Sequence, residues 1–226
     1  MGIRYNTSIV RDGLVLHLDA ANKKSYPGTG TVWKDLSGNG NDGTLVNGVG
    51  YSIDNKGAMV FDGVDDYAIS NVSTDQEHTF SLWFNQNQRS SPYASIISSR
   101  INSTERNWIF IESNGTLAFS LGFTNGTRIF SALNFNNSID LNKWYFVNFT
   151  WDDNKIARAY LNDQFLGQFN FSPRTVRTGD VVWIGRDNDS RYYLKGDISN
   201  VQIYNRSLSP QEIQQNFEAH RGRYGI

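Results

Sequence analysis

The stretch Thr79-Phe80-Ser81-Leu82-Trp83-Phe84-Asn85 decides the fold class. Phe80, Leu82 and Phe84 fall on one side of an extended chain, and Ser81 and Trp83 fall on the other. That period of two is a strand, and the same period recurs along most of the chain. Leu14, Leu16 and Leu18 alternate with Val15 and His17. Further strands are read at Ala58–Phe61, Asp66–Ser70, Ala94–Ser99, Asn107–Glu112, Thr116–Leu121 and Arg128–Leu133, then at Trp144–Trp151, Ile156–Leu161, Gln164–Phe169, Val181–Gly185 and Ile198–Tyr204. Ser113-Asn114-Gly115 sits between two apolar runs and predicts a tight hairpin. Residues 22–57, rich in Gly, Asn, Ser and Asp, predict a long ordered loop.

Composition agrees. Phe 14, Tyr 11 and Trp 6 suit pleated surfaces, and Gly 20 suits turns. Glu, a helix former, occurs only at positions 77, 105, 112, 212 and 218. One helix is predicted. Ser209-Pro210-Gln211-Glu212 has the pattern of a capping box with Pro at the first helical position. Leu208 can staple onto Ile213, Ile213 and Phe217 share a face, and Gly222 is the expected C-cap. The helix, over 208–222, is expected to seal one edge or face of the sheets. With no linker or repeat, residues 1–226 read as one all-β domain, a two-sheet antiparallel sandwich with a short C-terminal helix. Residues 1–12 are a candidate docking arm, and Arg221–Ile226 a second docking terminus.

Charge and cysteine exclude several classes. Lys+Arg 21 against Asp+Glu 22 leaves a net charge of -1, which argues against nucleic-acid binding driven by bulk charge and against a polybasic membrane anchor. No apolar run approaches the roughly 18–20 residues of a membrane span. Met1 to Gly13 has no apolar signal core, so no secretory signal is expected. The absence of cysteine removes disulfides, thiolate metal sites and cysteine nucleophiles.

Several stretches together resemble the concanavalin A-like lectin/glucanase superfamily, in its laminin-G-like jelly-roll branch. They are Gly13-Leu-Val-Leu-His-Leu-Asp19, Trp33-Lys-Asp-Leu-Ser-Gly-Asn-Gly-Asn-Asp-Gly43, Phe61-Asp-Gly-Val-Asp-Asp-Tyr67, Phe80-Ser-Leu-Trp83 and Gly196-Asp-Ile-Ser-Asn-Val-Gln-Ile-Tyr-Asn-Arg-Ser-Leu-Ser209. They occur in the family's order and run nearly end to end. The resemblance implies a jelly roll, a concave face able to hold glycans or proteins, and often one Ca²⁺ at the sandwich edge. The opening strand with Ala20-Ala-Asn-Lys-Lys-Ser-Tyr-Pro27, and the ending Phe217 to Gly225, resemble versions in virion proteins of tailed phages. That second resemblance implies a non-enzymatic virion surface component, a capsid decoration or fibre part assembled in the host cytoplasm, with other virion proteins as partners. The alternative is an adhesin for host glycans, and the third reading is a glycan-cleaving enzyme. Near-neutral charge and paired sheets allow a homo-oligomer without specifying one.

Candidate sites follow from donor chemistry. Asp35, Asn39 and Asn41 lie in a glycine-permitted loop that offers oxygens at the close spacing Ca²⁺ takes, although Asp and Asn also simply cap turns. Asp62 and Asp66 form a second oxygen cluster. The resemblance implies Asp197 as their companion. His17, His78 and His220 have no metal-ligand spacing, so no transition-metal site is expected. Catalysis is not expected: no Glu sits in the Glu-x-Asp-x-x-Glu type of strand motif that the family's glucanases carry, and no nucleophile elbow or phosphate loop occurs. For sugar binding, Tyr192 and Tyr193 beside Arg186, Asp187, Asn188 and Arg191 are the surface candidates. Trp83, Trp144 and Trp151 are read as structural.

Overall fold

A computed structural model of the chain describes residues 8–54, 56–74, 77–90, 92–100, 106–130, 138–187 and 191–226. Sixteen strands and one helix follow in chain order: β1 Leu14–Asp19, β2 Val32–Trp33, β3 Gly43–Val46, β4 Gly50–Ser52, β5 Ala58–Asp62, β6 Tyr67–Ser70, β7 His78–Gln86, β8 Tyr93–Arg100, β9 Arg106–Glu112, β10 Leu117–Gly122, β11 Arg128–Phe130, β12 Trp144–Trp151, β13 Ile156–Leu161, β14 Gln164–Asn170, β15 Val182–Ile184, β16 Lys195–Tyr204 and α1 Pro210–Tyr224. They form two antiparallel sheets. One runs β14-β13-β12-β7-β16-β5-β4, with β1 also paired to β16; the other runs β11-β10-β9-β8-β15-β6-β3-β2. β16 is long enough to serve two partners on one edge: Lys195–Ile198 pair with β5, and Asn200–Tyr204 pair with β1. This is a jelly-roll sandwich.

The alternation read in β7 sets the layers. Phe80, Leu82 and Phe84 join Leu16, Leu18, Ile109, Phe119, Phe149 and Ile198 in the core between the sheets. Trp83 points the other way, onto the outer face of the first sheet, where it meets Phe146, Tyr204, Leu208, Ile213 and Phe217. α1 covers that face. Trp83 stacks on Tyr224 at 4.0 Å and on Phe217 at 5.6 Å between ring centroids. Among the described residues no helix is long and apolar enough to cross a membrane.

The helix begins as its sequence predicts. Ser209 Oγ accepts from the Glu212 N–H, and the Glu212 carboxylate accepts from the Ser209 N–H. It ends later than predicted: the left-handed C-cap is Gly225, not Gly222, because Tyr224 is still needed to pack on Trp83. Two other expectations are corrected. Residues 22–57 contain β2, β3 and β4, which are too short and too broken by Gly and Asn to register as a period of two. The candidate arm is not free from Ser8 onward: Ile9 and Val10 are buried, the Val10 N–H donates to Asn216 Oδ1 at 2.8 Å, and Gln215 Nε2 donates to the Ser8 carbonyl. Residues 1–7 of that arm, and residues 131–133 of the strand expected at Arg128–Leu133, lie outside the described residues.

Candidate functional site

The loop after β15 carries the surface residues picked for sugar binding. Gly185 launches it at φ +85, and a Cβ there would stand 2.6 Å from the Phe61 ring, so only glycine fits. The loop then folds back over the outer face of the second sheet. Asp187 is fully buried and ion-paired with Arg106. The Arg186 guanidinium lies 3.7 Å from the Tyr67 ring centre. Tyr192 adopts φ +58 and stacks on Trp108 at 5.8 Å, while Arg191 covers it at 5.2 Å. Tyr93 meets both Tyr192 and Trp108 edge-on. The structure therefore gathers these side chains, but it spends their flat faces and the Asp187 carboxylate inside the molecule. Arg191 is exposed and Tyr193 half-buried. Asn188 lies outside the described residues.

The oxygen-rich loops are closed by their own hydrogen bonds. Asp35 Oδ1 accepts from the His17 and Ser37 N–H groups at 2.9 and 2.8 Å, and Oδ2 accepts from Ser37 Oγ and the Asn41 N–H. Asn39 and Asn41 donate their amides to the Leu14 and Val15 carbonyls at 3.0 and 2.8 Å. This is turn capping that straps the loop across β1. Asp62 and Asp66 do come together, with Asp65 as the third member, their carboxylate oxygens within 4.8 Å of one another. Asp197 is not in that group; it is buried on β16, where it accepts from Asn85 and Asn87 at 3.3 and 3.1 Å. Backbone N–H groups, led by that of Val64, hold Asp62 below the usual carboxylate range, whereas burial and then the Asp62 and Asp65 charges raise Asp66. The donors are all oxygen, which suits Ca²⁺, but three carboxylates are half or less of the shell it takes. The turn already closes through Asp62 Oδ1, which accepts from the Val64 and Asp65 N–H groups.

Two features were not legible as sites in the sequence. The first is a cleft of about 400 Å³ on the outer face of the first sheet, lined by Arg158, Tyr160, Asp163, Phe165, Gln168 and Pro210. β13 and β14 bring the polar and aromatic side chains, and the N-terminus of α1 makes the facing wall. Phe165 is 54% exposed, and its inner edge rests on the buried Tyr160 ring at 5.4 Å between centroids. Arg158 is held by Asp152 at 2.7 Å. A second cleft of about 540 Å³ shares Arg158 and Pro210 and continues past Asp152, Glu77, Arg206 and Glu212. By strict alternation Phe165 shares a side with Gly167 and Phe169, and the register shift in the β13–β14 pairing at Ala159/Tyr160 turns it outward.

The second is a group of histidines. His17 and Asp19 project from β1 to the outer face, and His220 descends from the last turns of α1 to meet them. His17 and His220 have no ligand spacing in the sequence, and the docking of α1 on β1 brings them together. Asp19 forms a fork with Arg223, Oδ1 to Nη1 at 2.8 Å and Oδ2 to Nη2 at 2.9 Å. Burial alone would raise Asp19, but the Arg223 guanidinium outweighs it and holds the carboxyl below its ordinary value. Burial pushes His17 down to about 4 against the pull of Asp19, and burial with Arg223 lowers His220.

No curated protein sequence matches the chain. Among solved structures, a Trypanosoma rangeli sialidase in complex with an inhibitor is similar at TM-score 0.69 and 18% identity, over 93% of this chain and 33% of the sialidase. The botulinum neurotoxin serotype D binding domain is similar at TM-score 0.73 and 17% identity, over 92% of this chain and 52% of that one. A structure of botulinum neurotoxin type C, whose cell entry depends on interaction with two ganglioside molecules, gives 0.72 and 19%, over 93% and 52%. The chain thus spans about a third to a half of these proteins, and the likeness is one of fold. A family model described as the concanavalin A-like lectin/glucanases superfamily, laminin-G type, matches residues 61–214. That match covers more than half of the chain, from the strand before the acidic turn to the first turns of α1, and the chain belongs to this superfamily.

Proposed function

We propose that the protein is a non-catalytic carbohydrate-binding module that holds a glycan in the Phe165 cleft. The observation that carries this reading is the exposed Phe165 ring beside Arg158, Asp163 and Gln168. A flat ring offers a stacking face to the C–H side of a pyranose, and fixed polar groups then accept and donate to its hydroxyls. A binding rather than a cleaving role is supported by two of the neighbouring carboxylates, since Asp152 and Glu212 are each engaged by an arginine. A glycan array on the whole chain, followed by calorimetry on the best ligand, tests the proposal. Phe165→Ala is expected to weaken binding about tenfold, roughly 1.4 kcal/mol, without lowering the melting temperature. Tyr193→Ala, in the loop after β15, is expected to leave binding unchanged. Loss of binding in Tyr193→Ala with Phe165→Ala unaffected would move the site to that loop, and an array without any binder would sink the reading.

The resemblance of the terminal stretches to virion proteins of tailed phages supplies a setting. A glycan-holding sandwich on a capsid or fibre would adhere the particle to host surfaces, with virion subunits as its protein partners. Mass spectrometry of purified particles checks this placement; absence of the chain from them removes it.

A further inference from the structure

We propose that His17, Asp19 and His220 form a binding site for a borderline divalent metal ion of the zinc class, clamping α1 to β1. One ring nitrogen from each histidine and one Asp19 oxygen lie within 4.8 Å of one another. Ligands about 2 Å from a tetrahedral ion stand about 3.3 Å apart, so each would move by less than about 1 Å to close on one. Two imidazoles and one carboxylate favour zinc, cobalt or nickel over the all-oxygen shells of calcium and magnesium.

The surroundings fit a ligand set rather than a packed core. Among the described residues, the buried His220 Nδ1 has no hydrogen-bond partner of good geometry, although the Asn216 backbone also acts on the ring; a metal would satisfy it. Asp19 Oδ1 accepts twice, from the Ala21 N–H at 3.0 Å and from Arg223, whereas Oδ2 accepts once, so Oδ2 keeps a lone pair. Arg223 then acts as the outer group that orients a ligating carboxylate. Its positive charge opposes the ion and weakens the expected affinity. Asn200 stands 3.3 Å from His17 Nε2, with its own Oδ1 buried and unbonded, and can orient the ring or add an oxygen ligand. His17 and His220 remain partly exposed, which gives an ion its entry path and water its place in the shell. The three ligands join elements about 200 residues apart in sequence, so a bound ion would act as a removable cross-link.

The test is calorimetric titration of the whole chain with ZnCl₂ at pH 7.5, alongside titration with CoCl₂ read by visible absorption. One ion per chain is expected, with visible Co²⁺ bands of nitrogen and oxygen ligation. His17→Ala and His220→Ala are each expected to weaken binding at least about tenfold, and Asp62→Asn, in the separate acidic turn, to leave it unchanged. The wild-type Co²⁺ spectrum needs no variant to fold. Absence of those bands and of binding heat, unchanged affinity in His220→Ala, or loss of binding in Asp62→Asn would each overturn the site.

Discussion

His78 lies on β7 against Phe80 and Trp151, fully buried, with centroids 5.6 and 5.4 Å from theirs. Burial pushes its imidazole down to about 3. In the unfolded chain the same ring titrates near 6.5. The contribution to stability is therefore complete above about pH 6.5 and is lost as the pH falls toward 3, because only the unfolded chain takes up the proton in that window. Denaturant titrations between pH 7 and pH 4 should lose stability by up to about 1.4 kcal/mol per unit from this residue. His78→Leu should flatten that slope. The sequence placed His78 at the mouth of a strand but could not say that its neighbours across the ladder would be aromatic. Trp83 was the opposite case. Its alternation against Phe80, Leu82 and Phe84 marked it as facing away from the inter-sheet core, and the apolar helix face from Leu208 to Phe217 supplied the cover. Trp83→Ala removes a fully buried ring from between Phe146, Phe217 and Tyr224 and should cost about 3–5 kcal/mol in chemical denaturation.

At the scale of elements, α1 owes its start to four residues that can be read directly. Ser209 and Glu212 exchange hydrogen bonds, and Arg206 grips Glu212 through both carboxylate oxygens at 3.0 and 2.6 Å. That grip holds the Glu212 carboxyl down at about 2. Ser209→Ala should destabilise the protein by about 1 kcal/mol, read as a lower urea midpoint with an unchanged slope. β1 and the longer strands from β5 onward were legible because they alternate, and the short β6, β11 and β15 because apolar residues cluster there. β2, β3 and β4 were not, since they are as short, lie among Gly and Asn, and have their positions set by pairing with β3, β6 and β5. The site suffers from the same limit. Phe165 on β14 looked like one more aromatic in an aromatic-rich chain; only the pairing of β14 with β13, and the arrival of Pro210 from the far end of the sequence, make a cleft around it. Likewise the meeting of His17 with His220 is a product of where the helix docks.

For the molecule as a whole, the helix is part of the sandwich rather than an appendage. Deleting residues 208–226 would uncover Trp83, Phe146, Tyr160 and Tyr204 in one apolar patch on the outer face. The truncated chain is expected to aggregate on expression, which light scattering of the soluble fraction would register. β16 has a comparable place in the first sheet: it lies between β7 on one side and β5 with β1 on the other, yet it begins at Lys195. As the polypeptide leaves the ribosome, β7 and β12 can pair early, but β5 and β1 wait for a bridging strand that follows every other strand of the sandwich. Until it arrives, the edges of β7, β5 and β1 stand open to other nascent chains. The order of the strands thus predicts that the soluble yield of this domain rises when a chaperone is co-expressed, which the soluble fraction on expression would register.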